Sequence, residues 1–244
     1  MKRLSILFTL LLLFLVGCGS NNDSSSTSSD EQNKAIKVEA SDNEKVELDT
    51  QNINGFAVKG DLGFVYIHGA VALKNTGETA LRINEVQFNF EAKDGSIIGT
   101  ETPLSAMPVI IKPGETSIAG ATFTDEDTKL IDQFDKVTVN VDYEKTTDEP
   151  SKWKIDNLKG RKTDLGYKYT GKLTNQMDEK TGQIWMTFGM FDEKGNILAT
   201  MYGHPDVTLN PGTSTGFESF SDFDMPDFIL NKVDHVEVGI ISAK

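Results

Sequence analysis

Two antiparallel β-sandwiches in an all-β chain are what this sequence predicts, and three observations carry the expectation. Apolar side chains recur in short runs such as Ile83, Val86, Phe88 and Phe90, set between polar ones with the near two-residue period of a half-buried strand. Turn signals punctuate these runs, among them Asn75-Thr76-Gly77, Lys93-Asp94-Gly95-Ser96 and Lys112-Pro113-Gly114. The whole arrangement then occurs a second time: Asp61-Leu62-Gly63-Phe64 through Val139 is matched by Asp164-Leu165-Gly166-Tyr167 through Val238. Residues 45–144 and 152–244 are therefore expected to be two immunoglobulin-like sandwich domains, joined near Glu144 to Ser151, where charge and Pro150 interrupt the pattern.

The chain opens with Lys2 and Arg3 ahead of an apolar run, Leu4 to Val16, broken only by Ser5 and Thr9. That run is shorter than the roughly 20 residues needed to span a bilayer, and it reads as an export leader. Its end, Leu15-Val16-Gly17-Cys18, closely resembles the lipobox of bacterial lipoproteins. The resemblance implies cleavage after residue 17 and a diacylglyceryl group on the Cys18 thiol, so that the chain's partner is a membrane, held through Cys18. Each buried methylene adds about 0.8 kcal/mol of membrane affinity, and two acyl chains hold where one does not. Residues 18–44 are expected to form a polar tether, since Gly19 to Lys34 contains no apolar residue and cannot repay the entropy of ordering. A spacer of this kind beside a lipobox is common in Gram-positive lipoproteins, and the resemblance implies a place on the outer face of the cytoplasmic membrane.

Cys18 is the single cysteine, so no internal disulfide framework exists and apolar packing must hold each unit. The net charge is -13; without Lys2 and Arg3, 22 basic residues face 37 acidic ones. A balance of that sign repels phosphate backbones and argues against a nucleic-acid partner.

Along the first copy, strands are expected around Ile53 to Val58, Gly63 to Asn75 and Ile83 to Phe90. Gly95 then turns the chain into a return strand opened by Ile97-Ile98, because glycine takes positive φ without strain. Pro113-Gly114 makes a sharp corner before another strand. An acidic connection follows, with helix-like apolar spacing at Leu130, Ile131 and Phe134, and Val137, Val139 and Val141 close the unit. The second copy repeats this through Asn175, Ile184 to Phe191, Gly195, Pro211-Gly212, the trio Phe228, Ile229 and Val233, and a last strand at Val236, Val238 and Ile240.

The run Phe188-Gly189-Met190-Phe191-Asp192, with Lys194-Gly195 and Pro211-Gly212 behind it, resembles the FxLYD family of bacterial surface domains, small sandwiches often carried on lipoproteins. The first copy keeps the aromatic spacing in Phe88-Asn89-Phe90-Glu91-Ala92 but has Ala92 where the aspartate stands. The resemblance implies that the aromatics fill a core and brings no common chemistry with it.

Several residue sets invite a chemical reading. Gly212-Thr213-Ser214-Thr215-Gly216 fits G-x-S-x-G on paper, but a nucleophile elbow needs a strand before the serine and a helix after it, whereas a Pro-Gly turn precedes Ser214 and a strand follows. His68, His204 and His235 lie far apart without metal-binding spacing, and surface or turn roles are expected for them. Both copies have acidic connections, Asp125-Glu126-Asp127 and the trio Asp222, Asp224 and Asp227. That trio is the candidate set for calcium, set against a plain solvated loop because no EF-hand spacing accompanies it. Phe217, Phe220, Phe223 and Phe228, with Met225 between them, form an aromatic series expected chiefly to fill core, with an exposed contact surface as the competing reading. No set combines nucleophile, base and metal, so no cofactor is expected and the chain is read as a non-enzymatic binding or interaction module for an unidentified envelope partner. A structural or chaperone-like role in export or envelope assembly is the alternative, and an envelope hydrolase is the least favoured.

Overall fold

The computed structural model describes residues 47–60, 62–163 and 166–243, which belong to one compact unit. Cys18, the leader and the whole of the tether, residues 18–44, lie outside these residues. In the first half, β1 (Leu48–Lys59), β2 (Val65–Asn75) and β6 (Thr116–Asp125) form an antiparallel sheet in the order β1-β2-β6. Facing it, β3 (Leu81–Ala92) pairs with β7 (Phe134–Lys145) along its length, and with the shorter β4 (Ile97–Glu101) and β5 (Ile110–Ile111). The second half repeats the plan. There β8 (Trp153–Thr163), β9 (Gly166–Asn175) and β12 (Ser214–Glu218) make one sheet, and β10 (Gly182–Phe191) lies between β11 (Ile197–Gly203) and β13 (His235–Ala243) in the other. The acidic connections each contain one helical turn, α1 (Leu130–Gln133) and α2 (Asp227–Leu230).

Alternation sets what each sandwich buries. Val65, Ile67, Val71 and Leu73 of β2 point inward onto Phe88 and Phe90 of β3, and all six are fully buried. Their counterparts are Tyr169 and Leu173 of β9 against Met186, Phe188 and Met190 of β10. Truncating a ring such as Phe88 or Phe188 in packing of this kind costs about 3–5 kcal/mol.

The duplication extends to individual hydrogen bonds. Asn75 is buried at the end of β2; its Nδ2 donates to the carbonyls of Thr79 and Ile111, and its Oδ1 accepts the N–H of Gly77. Asn175 at the end of β9 does the same with the carbonyls of Glu179 and Leu209 and the N–H of Met177. One amide thus ties a strand end to the turn after it and to the Pro-Gly corner region across the sandwich.

At the hairpin tips Gly95 and Gly195 hold φ of 84° and 78°, the left-handed region that a Cβ disfavours. Asp192 stitches the second tip, its Oδ1 accepting the N–H groups of Lys194 and Asn196 at 2.9 and 2.8 Å. The first copy, with Ala92 at the matching position, moves that work two residues on: Asp94 Oδ1 accepts from Ser96 N–H at 2.9 Å. These bonds draw both carboxyls below the usual range, with the Ser96 and Asn196 side chains as the largest causes.

Two features depart from the sequence reading. The inner residues of β2 are buried as alternation requires, but so are His68, Ala70 and Ala72 on its other face, because the second half covers them. And β8, the partner of β1 in the repeat, is hidden in the sequence by Lys154, Lys159 and Arg161, which leave a weak apolar rhythm at Trp153, Ile155 and Leu158.

Candidate functional site

The outer face of β1-β2-β6 packs on the outer face of β11-β10-β13, so two sheets that a lone sandwich would expose are buried against each other. The residue choice in the two copies explains the direction. Where β2 presents His68, Ala70 and Ala72 outward, β9 presents Lys168, Thr170 and Lys172; where β10 presents Thr187, Gly189 and Phe191, β3 presents Gln87, Asn89 and Glu91. Only the small and apolar versions pack together. Ala70, Ala72 and Ile118 of the first half meet Phe191 and Ile197 of the second.

Close approach is secured by glycine. A Cβ on Gly120 would lie 1.8 Å from Thr200 Oγ1, and one on Gly239 would lie 1.9 Å from the Met107 carbonyl oxygen. Polar groups then close the seam. Asn52 Nδ2 donates to Gly195 O while its Oδ1 accepts Ile197 N–H, and Tyr202 OH donates to Gly120 O at 2.6 Å.

His68 lies in this seam, 1% exposed, and not at the surface as its sequence context suggests. Its Nε2 accepts the Thr200 backbone N–H at 3.1 Å, which leaves Nδ1 to carry the proton toward Thr122 Oγ1 at 3.0 Å. With rings of Phe56 and Phe223 beside it, burial holds the imidazole neutral and lowers its pKa to about 3.

The segment after β12 builds the accessible part of the junction. Ser219 exchanges hydrogen bonds with Tyr169 of β9, and Phe220 pairs reciprocally with Tyr202 of β11, so the chain crosses from one sheet to the other. Past that crossing, Phe223 belongs to the core cluster of the second half and also sits against Phe56, Tyr66 and His68 of the first. Two clefts flank the crossing, and Phe220 and Asp222 line both. One, of about 440 Å³, is polar and includes Lys59, Tyr66, Lys168 and Asp224. The other, of about 280 Å³, gathers Pro103, Leu104, Met107, Trp185 and Tyr202, with carboxylates from Glu101 and Asp222. In it Leu104 is 68% exposed and Phe220 46%, an apolar lining open to solvent. Burial pushes the Tyr202 phenol up, and the charge of Asp222 adds to that shift.

The residues singled out from sequence fall as follows. Cys18 lies outside the described residues. Ser214 begins β12 and shares a hydrogen bond with Thr174 Oγ1 at 2.8 Å, so a strand follows it and no elbow forms. His204 stacks on Trp185 with its Nδ1 on Ile184 O, and His235 is an exposed neighbour of Asp234. Asp222 faces the clefts, Asp224 reaches toward Gly166, and Asp227 stands 3.6 Å from Lys162. Among the described residues, no three His, Cys, Asp or Glu side chains converge as metal ligands. In the aromatic series Phe217, Phe223 and Met225 are buried, while Phe220 and Phe228 are half exposed. The junction is the feature that reading each repeat alone misses; its signal is the contrast of Ala70 and Ala72 with Thr170 and Lys172.

No protein-family model matches the chain, and a search of the curated proteins finds no match. The reading of function therefore rests on the junction itself.

Proposed function

We propose that this chain is a lipid-anchored, extracytoplasmic binding module, tethered through Cys18 on the outer face of the cytoplasmic membrane, and that the smaller junction cleft is its binding site. The observation that carries the binding role is a cleft that neither repeat forms alone. The first half supplies Pro103, Leu104 and Met107, and the second supplies Trp185, Tyr202 and Phe220. Apolar side chains held open to water, with a few polar groups at the rim, are the usual make-up of a recognition surface. Glu101 and Asp222 suit a ligand whose apolar body ends in a cation or a hydrogen-bond donor, since a positive group gains from both carboxylates and from the aromatic faces beside them. The anchor is supported by the lipobox-like Leu15-Val16-Gly17-Cys18 and the polar stretch behind it.

Two measurements test the two parts. Cys18→Ala should release the protein into the medium; retention at the membrane would refute the anchor. A photocrosslinking side chain placed at Leu104 should capture an envelope component in cells, and Phe220→Ala should reduce that capture about tenfold or more, as for a central aromatic contact. Equal capture from a control position at Thr100, outside the cleft, would refute the site.

A further inference from the structure

We infer that the outer face of the β8-β9-β12 sheet is an electrostatic docking surface for an anionic phospholipid bilayer. Cross-strand partners share a face, so the register assigns its members. Lys154 pairs with Thr174, Asp156 with Lys172, Lys159 with Thr170 and Arg161 with Lys168, while Gly216 and Glu218 of β12 continue the same rows. Tyr169 and Leu173 point the other way, into the core. The face thus holds five cations, Lys154, Lys159, Arg161, Lys168 and Lys172, against two carboxylates, Asp156 and Glu218, a surplus of three positive charges on a chain whose net charge is -13.

Asp156 is engaged by Lys154 at 2.9 Å and Lys172 at 3.7 Å, and Glu218 by Lys168 at 2.9 Å. Lys159 and Arg161 are exposed on the same row of an edge strand and take no part in those pairs. The segregation is sharp, because the outer face at the opposite end, on β3 and β7, has Glu85, Glu91, Asp142 and Glu144 against Arg82 and Lys136. Three sheet-to-sheet spacings separate the two end faces, on the order of 30 Å. With a Debye length of about 8 Å at physiological ionic strength, a surface that meets the basic face is screened from the acidic face at the opposite end.

The shape and chemistry of the face select the occupant. It is a sheet surface bearing lysine, arginine, threonine and serine, with no aromatic in its outward rows on which a base would stack, and the cleft at its β12 edge, where Thr170, Gly216 and Glu218 meet His204 and Pro205, carries a carboxylate that does not suit an anionic polymer strand. A planar array of phosphate headgroups is the complementary partner, each nearby Lys or Arg contributing to attraction that salt weakens. The inference shares with the proposed function only the expectation that the chain works at a membrane. It fails or holds in vitro whatever becomes of Cys18 or the cleft.

The test is flotation of the full chain with vesicles of phosphatidylcholine alone and of phosphatidylcholine with an equal part of phosphatidylglycerol. An acyl or apolar anchor binds both; the basic face adds affinity only for the second. We expect a preference of about tenfold or more for the anionic vesicles, lost in 0.5 M salt and lost in Lys159→Glu/Arg161→Glu, with Lys159→Gln/Arg161→Gln between the two. The glutamine pair, neutral at exposed positions, keeps the test decisive if the reversed pair misfolds. Equal binding to both vesicles, or a preference that survives both double variants, overturns the inference. So does binding to soluble poly(glycerol phosphate) without binding to vesicles, or a dimer in sedimentation that the double variants abolish.

Discussion

Across the junction of the repeats, His68 Nε2 accepts the backbone N–H of Thr200 at 3.1 Å, which only an unprotonated ring nitrogen can do. Protonating Nε2 would set two donors against each other inside a dry seam. The native state therefore resists the proton while the unfolded chain takes it near the ordinary histidine value of 6.5, and the native value is about 3.

The sign follows from that difference. Between pH 6.5 and 3 the unfolded state binds one more proton at this site, so the contribution of His68 is complete above pH 6.5 and declines as the pH falls. The slope is about 1.4 kcal/mol per pH unit, or about 2 kcal/mol of stability lost between pH 7 and pH 5. Denaturant unfolding at the two pH values should show this loss in the native chain. In His68→Gln, which keeps an acceptor oxygen and cannot be charged, the loss should be much smaller; an equal loss would refute the assignment.

Gly120 and Gly239 make the seam tight in two different ways. Alanine at 120 would meet the Thr200 side chain, and alanine at 239 would meet the backbone carbonyl of Met107. Overpacking of this kind costs about 1–3 kcal/mol or more. Gly120→Ala should regain part of its stability when combined with Thr200→Ala, since the contacting Oγ1 and Cγ2 are then gone and the Cβ contact at 2.9 Å is left. Gly239→Ala should not be rescued by Met107→Ala. Thermal melts of the single and double variants decide the matter, and equal rescue in both pairs would contradict the geometry.

Asn175 is buried with its Nδ2 shared between two main-chain carbonyls. Asn175→Ala strands those acceptors and should cost about 1–3 kcal/mol for each one left without a partner. Asn175→Asp should be at least as damaging, because a carboxylate has no N–H to give and places its charge against the carbonyls of Glu179 and Leu209. Asn75 has the same bonds in the first half, so the same pair of substitutions there should behave alike in urea unfolding. A tolerated aspartate at either position would refute this account.

Much of the architecture was legible along the chain because it is local. Period-two runs marked most strands, glycines at 95 and 195 marked hairpin tips, and the spaced repetition of Asn75 and Asn175 marked the duplication. The aromatic series was legible only in part: Phe217 and Phe223 are buried, but Phe223 serves the seam with Phe56 and Tyr66, a role its spacing does not show. The carboxylates Asp222, Asp224 and Asp227 look like one group in sequence, yet the chain bends between them and each faces a different neighbour.

By itself, then, the order of residues determined an all-β chain with a repeated strand plan, since alternation and turn chemistry act between neighbours a few positions apart. Tertiary structure alone decided that β2 is buried on both faces, that His68 is neutral, and that Leu104 and Phe220 come to share a cleft. Those outcomes depend on which outer sheet of one half meets which outer sheet of the other, and no short-range pattern encodes a contact between residues 68 and 200.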